Sequence, residues 1–250
     1  MNHQSLIINH QCLILAVETS GRFGSVAIAQ GTKLLAEKQF SAPLRASAEI
    51  FPVINELLGR QNKKANQIEQ VCISVGPGSF TGLRIAVALA KTMALANNIK
   101  IVAVDTLDCI AANVFNPACP LNAERCPLLL PNERLAVILD AKRNQFFIAV
   151  FDQTENGWEK ILPDSLLTAD EFLGRFTDKP VALIGEGLVY YKDKFNNPTV
   201  RVLDEKLWYP TAVSVHRLGF SKAQKGVFAD PLTLTPNYLR APDVKTSQIM

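Results

Sequence analysis

One order of elements, met twice along the chain, constrains the fold more than any single motif. Residues 12–18 form a near-continuous apolar run ending in a carboxylate and a turn, and residues 25–30 and 34–40 follow as alternating segments. A three-strand meander is therefore expected. Ile50, Ile54, Leu57 and Leu58 then fall at helical spacing within residues 44–58. Pro52 lies inside that pattern and predicts a helix kinked there or starting just before it. A buried strand at 71–75, a helix to about residue 97, a strand at 101–104 and a short helix at 107–114 complete the first pass. Residues 115–133 then carry four prolines and two cysteines and read as a linker or an exposed excursion. After them the pattern restarts. Residues 135–140, 145–151 and 158–162 read as a second meander. Residues 168–176 read as a helix capped by Thr168, with Glu171 three positions on. A strand at 181–185, a helix at 188–195, a strand at 199–203 and a helix at 211–222 follow. No sequence identity links the halves; the repeat is one of element order alone.

Two α/β lobes facing a cleft, with mixed sheets and flanking helices, are the fold this order predicts. Residues 1–11 precede the pattern as an N-terminal extension. Residues 12–108 with about 211–250 make the first lobe, and residues 109–210 the second. In that arrangement the turns after each first strand, residues 18–25 and 140–144, face each other.

Composition narrows the class. The chain has 250 residues, 48% of them apolar and 20% charged, enough for one large domain or two small ones and unlike a disordered or low-complexity chain. Apolar runs stop at about six residues, short of the roughly 20 a membrane span requires. The first eleven residues lack Lys and Arg and do not read as a signal peptide. A net charge of +3 is a mild basic bias, far from the dense basic face of a dedicated nucleic-acid binder. Five cysteines (Cys12, Cys72, Cys109, Cys119 and Cys126) show no C-x-x-C spacing, so a cytoplasmic, disulfide-free protein is expected.

The strongest local signal is Gly76-Pro77-Gly78-Ser79-Phe80-Thr81-Gly82-Leu83-Arg84, between a strand and a helix. Three glycines in seven residues let a backbone approach something closely. Ser79 or Thr81 can cap the helix, whose first amides form an anion-friendly end. The spacing matches neither common nucleotide fingerprint, and a tight packing turn explains it equally well. G-P-G-S-F is also not the nucleophile elbow of a Ser hydrolase.

Four segments bear a further resemblance. GPGSFTGLRIAVALAKTMALA, ILAVETSGRFGSVAI, ILDAKRNQFFIAVF and PNYLR, spread from Cys12 to Arg240, closely resemble the bacterial TsaB (YeaZ) family. That resemblance implies a two-lobed fold of the ASKHA class, the actin-like ATPase and ribonuclease H-like architecture. It also implies a part in making threonylcarbamoyladenosine on tRNA. In that family TsaB is not the catalyst but pairs with the related transferase TsaD and with the ATPase TsaE, and reaches tRNA through the complex.

The residues agree with a non-catalytic part. A metal-dependent transferase needs ligands such as two His one helical turn apart; TsaD-like proteins carry H-x-x-x-H on the helix after the first meander. The corresponding residues 44–50 hold no histidine, and Ala46 stands where many TsaB sequences keep one. His3 and His10 lie in the N-terminal extension, and His216 reads as a surface or satisfied core residue. Glu18 occupies the place where ATPases of this class keep a metal-orienting Asp. With Thr19, Ser20, Asp140, Gly185 and Gly187 it outlines a nucleotide cleft, although turn capping accounts for the same carboxylates and tight packing for the glycines. No tightly bound cofactor is expected, and ATP or ADP with Mg²⁺ only weakly. The alternative reading is an autonomous kinase or ATPase of the same class.

The helix at 81–97 carries Ala86, Ala88, Ala90, Ala94 and Ala96, so another helix can approach it closely. Ile50, Ile54, Leu57, Ala86, Ala90, Met93 and Ala94 are the expected partner face, for a TsaD-like subunit or a second copy; burial inside the chain's own lobe is the competing account. Basic residues (Lys63, Lys64, Lys142, Arg143, Arg201, Arg217 and Arg240) are scattered without interleaved aromatics, so tight direct tRNA binding is not expected.

Overall fold

A computed structural model describes residues 11–41, 46–115, 127–155 and 157–240. Strands β1 (Leu13–Glu18), β2 (Phe23–Gln30) and β3 (Lys33–Ser41) form the first meander, followed by α1 (Ala46–Arg60). Strand β4 (Gln70–Ser74), α2 (Phe80–Asn97), β5 (Lys100–Val104) and α3 (Thr106–Ala111) follow. The second series is β6 (Arg134–Asp140), β7 (Phe146–Thr154), β8 (Gly157–Leu167), α4 (Ala169–Phe176), β9 (Val181–Ile184), α5 (Leu188–Tyr191), β10 (Val200–Val202) and α6 (Ala212–Gln224).

The two sheets are built alike. The first has strand order β3-β2-β1-β4-β5 and the second β8-β7-β6-β9-β10. In each, the meander is antiparallel and the last three strands run parallel: β1 with β4 and β4 with β5, β6 with β9 and β9 with β10. Parallel neighbours need long crossovers, which the helices supply.

Strand β1 is buried along its whole length because the sheet is covered on both faces. Its odd residues Leu13, Leu15 and Val17 join Ile50, Leu57, Ala86 and Ala90 on the α1–α2 side. Its even residues Ile14 and Ala16 join Ala212, Val215 and Phe220 of α6 on the other, as the period of two requires. In the second lobe Phe146, Phe172 and Phe195 are fully buried, their rings meeting edge to face with centroids 5.0 and 5.9 Å apart around Phe195. Helix α3 packs Leu107, Ile110 and Ala111 into that core.

Local chemistry sets several boundaries as anticipated. Thr168 accepts from Glu171 N while the Glu171 carboxylate accepts from Thr168 N, a complete capping box. Ser79 caps α2 by accepting from Gly82 N at 3.3 Å. Pro52 does not start α1; the helix begins six residues earlier and runs through it. The predicted helix at 188–195 divides into α5 and a 3-10 turn at Lys192–Phe195. The ends of the proline-rich stretch are anchored: Phe115 packs on Trp158 and Phe151, and buried Glu133 takes Arg201 at 2.6 Å. Its middle, with Cys119 and Cys126, lies outside the described residues. So do His3 and His10, Leu44 and Arg45, and residues 241–250.

Candidate functional site

A cleft of about 670 Å³ opens between the lobes, lined by residues 20–22, 77–80, 139–142 and 237–240 with Phe147, Glu186 and Tyr190. The first-strand turns of both lobes and the glycine-rich turn meet here.

Glu18 is not on the cleft wall. It ends β1 fully buried, its Oε1 accepting from the amide and the hydroxyl of Ser20, each at 2.5 Å. The Ser74 hydroxyl stands beside the carboxyl but outside hydrogen-bond geometry, and Glu18 Oε2, Ser74 Oγ and Thr106 Oγ1 are buried without partners among the described residues. Burial outweighs the hydrogen bonds and pushes the carboxyl above its usual range, favouring the neutral form. Thr19 is likewise buried, donating its hydroxyl to Gly82 O at 2.8 Å.

The glycine turn is a docking joint inside the chain. Ser79 N donates to Ser20 O at 2.7 Å, and a Cβ at Gly78 would lie 2.5 Å from that same oxygen. A Cβ at Gly82 would lie 1.8 Å from Thr19 O. Only bare backbone lets the turn and α2 sit this close to the turn after β1. Gly76 O accepts from Thr106 N at 2.8 Å, and Val75 O accepts from Asn237 N at 2.7 Å.

Asp140 does line the cleft, but both its oxygens are engaged by Lys142, with the amide at 2.7 Å and the ammonium at 2.6 Å. Gly185 serves β6 rather than a ligand: at φ +125° its missing Cβ would fall 2.0 Å from Ile138 O. Gly187 donates to Ile138 O at 3.3 Å. A Mg²⁺-nucleotide fits these residues poorly. The β1 carboxyl is buried and bonded to Ser20, the β6 carboxylate is tied to a lysine, and among the described residues no three His, Cys, Asp or Glu side chains group as metal ligands.

Sequence reasoning missed what joins the lobes. Lys142, Arg143 and Asn144 are consecutive left-handed residues, with φ of 63°, 54° and 62°, a costly run for non-glycine residues. Arg240 holds it, donating to the carbonyls of Ala141 and Lys142 and to the Gln145 side chain. Two residues earlier Tyr238 stacks on Phe80 at 4.9 Å and takes Arg84 Nε at 3.2 Å. Arg22 N donates to Glu186 Oε2 at 3.0 Å, and its guanidinium lies 5.8 Å from the Tyr190 ring centre. The PNYLR string was the one visible sign of this strap.

A family model described as "TsaD: tRNA N6-adenosine threonylcarbamoyltransferase" matches residues 42–249. Curated relatives named tRNA threonylcarbamoyladenosine biosynthesis protein TsaB include that of Bacillus subtilis, 27% identical over 94% of this chain and 97% of the relative. That of Haemophilus influenzae is 22% identical over 91% and 93%. The chain belongs to the TsaD family, in its TsaB (YeaZ) group. Membership associates it with tRNA threonylcarbamoyladenosine biosynthesis. The solved structure of YeaZ from Pseudomonas aeruginosa superposes with a TM-score of 0.74 at 19% identity, over 91% of this chain and all of that one. The two-lobed ASKHA fold implied by the resemblance is the fold observed.

The expected partner face needs correcting. Ile50, Ile54, Leu57, Ala86, Ala90 and Ala94 are all buried in the first lobe's own core. The alanines let α2 lie close on its own sheet. Met93 is half-buried, and the large apolar side chains that these helices expose, among the described residues, are Phe51, 57% exposed, and Leu95, 65% exposed. His216 is a satisfied core residue, its Nε2 2.8 Å from Gly31 O. Among the described residues no helix is long and apolar enough to cross a membrane.

Proposed function

We propose that the chain is a cytoplasmic, non-catalytic subunit of threonylcarbamoyladenosine synthesis on tRNA. It pairs with and activates a TsaD-like transferase and works with a TsaE-like ATPase. The observation that carries this reading is the state of Glu18. The carboxyl that would orient a metal-bound water in an ATPase of this class is buried and bonded to its own turn, where burial disfavours its charged form. A group that does not reach the cleft cannot organise Mg²⁺ there. Asp140, spent on Lys142, supports the same conclusion. Pairing falls to the outward surface of α1 and α2, where Phe51 and Leu95 leave apolar area uncovered; a second copy of the chain competes for it.

Reconstitution tests the reading. With tRNA, threonine, bicarbonate, ATP and the two partner proteins, modification is expected only when this chain is present, and the chain alone releases no phosphate. Equal modification without it, or ATP-dependent phosphate release by the purified chain, overturns the assignment. Calorimetry with ATP and Mg²⁺ is expected to show weak binding at most.

A further inference from the structure

The strap that follows α6 touches both the outward face of α2 and the cleft. It starts beside β5, where Ala229 N donates to Ile101 O at 2.9 Å. On α2 the Lys91 ammonium donates to Leu234 O at 3.1 Å. Leu95, one helical turn on and exposed, shares that side of the helix, and exposed Leu232 stands in the strap two residues before Leu234. Asn237 N then ties the strap to Val75 O at 2.7 Å, and a Cβ on Gly76 would lie 2.5 Å from Asn237 O. Tyr238 stacks on Phe80, and Arg240 donates to the carbonyls of Ala141 and Lys142 and to the Gln145 side chain. Pro231 and Pro236 fix φ on either side of Leu234, and Leu234 N and Leu232 N both donate to Asp230, each at 2.9 Å. The strap is therefore stiff between its hold on α2 and its hold on the cleft. What Arg240 holds there is the left-handed run at residues 142–144, a backbone form that L residues leave when its support is withdrawn.

We propose that the strap couples the outward face of α2 to the cleft, so that displacement at Lys91 and Leu234 shifts Arg240 and releases residues 141–145 on the cleft wall. The link runs through contiguous hydrogen bonds and packed backbone, and the left-handed run is the element with two arrangements. Lys142 carries the ammonium that engages Asp140, so the release also changes the charge on that wall. A protein subunit seated on Leu95 and Leu232 would in this way be registered in the cleft. That consequence rests on the pairing reading; the coupling itself is a property of the isolated chain. Failure to pair with a TsaD-like subunit counts against the pairing reading alone.

The test is amide hydrogen exchange, resolved by residue, in the full chain without partners. Ala141 and Gln145 are the reporters, because their amides close the loop by donating to Gln145 O and Lys142 O at 3.0 and 3.1 Å. Lys91→Met removes the bond at the α2 end and is expected to quicken both reporters about threefold, within the range that such networks carry. Lys91→Arg, which keeps a donor, should restore the wild-type rates. In an Arg240→Ala background the reporters are already fast, and Lys91→Met should add nothing. Lys91 is partly exposed, so the variant keeps the fold, and unchanged exchange in β9 separates coupling from a loss of global stability. Wild-type rates at Ala141 and Gln145 in Lys91→Met overturn the proposal. So does equal quickening in β9, or the same threefold effect once Arg240 is gone.

Discussion

Replacing Gly82 by alanine sets two effects of opposite sign against each other. Inside a helix, alanine is ordinarily favoured over glycine by about 1 kcal/mol, and Gly82 lies in the first turn of α2. Its new Cβ, however, would sit 1.8 Å from the carbonyl oxygen of Thr19. Backbone cannot swing aside as a side chain can, so the turn after β1 has to move, at an overpacking cost of about 1–3 kcal/mol. Moving it also breaks the Thr19 hydroxyl bond to Gly82 O and the Ser79 amide bond to Ser20 O, about 1 kcal/mol each. The net is a loss of about 2–4 kcal/mol. At roughly 2–4 °C per kcal/mol for a chain of this size, the midpoint should fall by about 4–16 °C. Gly174→Ala is the internal control, because nothing lies within 4 Å of its Cβ in α4; there propensity acts alone and the midpoint holds or rises slightly. Thermal melts followed by circular dichroism compare the two. A Gly82→Ala midpoint at or above wild type would refute the claim that the glycine turn is held by direct backbone contact.

Ala90→Glu should unfold the first lobe, since it places an unpaired charge in a fully buried position at roughly 3–5 kcal/mol. Phe51→Glu should leave the melt within about 0.5 kcal/mol of wild type yet abolish co-elution with a TsaD-like partner in size exclusion. Glu18 has a raised pKa in the folded state, so the folded chain holds its proton longer than the unfolded one. Its contribution to stability is intact below the ordinary carboxyl pKa of about 4.5 and is lost as pH rises through the folded value. Glu18→Gln should therefore gain stability at neutral pH and flatten that decline in denaturant titrations across pH; a less stable variant with an unchanged slope contradicts it. Arg240→Ala removes the hydrogen bonds holding the left-handed run. Amide exchange across residues 142–145 should quicken at least tenfold, corresponding to about 1.4 kcal/mol of lost local stability, while exchange in β9 stays unchanged.

Much of the fold was legible because local rules suffice for it. Alternation placed the strands, and Thr168 and Glu171 announced the cap they make. What local pattern cannot tell is which apolar surface covers which. Ala86, Ala90 and Ala94 satisfy their own sheet by the same close packing that would suit a partner, so the spacing alone could not separate the two. Glu18 was placed at the right turn, but whether its carboxyl points to solvent or core depends on residues far along the chain, Ser74 among them. The contacts of the strap were hidden for the same reason, although PNYLR marked its place: Arg240 meets Gln145 across 95 residues. Tyr190, an exposed ring on a short helix, carried no signal at all.

Helix α6 covers a face of the first sheet made by Cys12, Ile14, Ala16, Ala27, Ala29 and Cys72. During synthesis those residues leave the ribosome about 140 to 200 positions ahead of their cover, and Arg240 emerges later still. The first sheet must therefore wait, with one greasy side bare, until α6 has been made. Nascent chains stalled before residue 212 should need chaperone protection, and the cleft can take its final shape only once Arg240 has emerged.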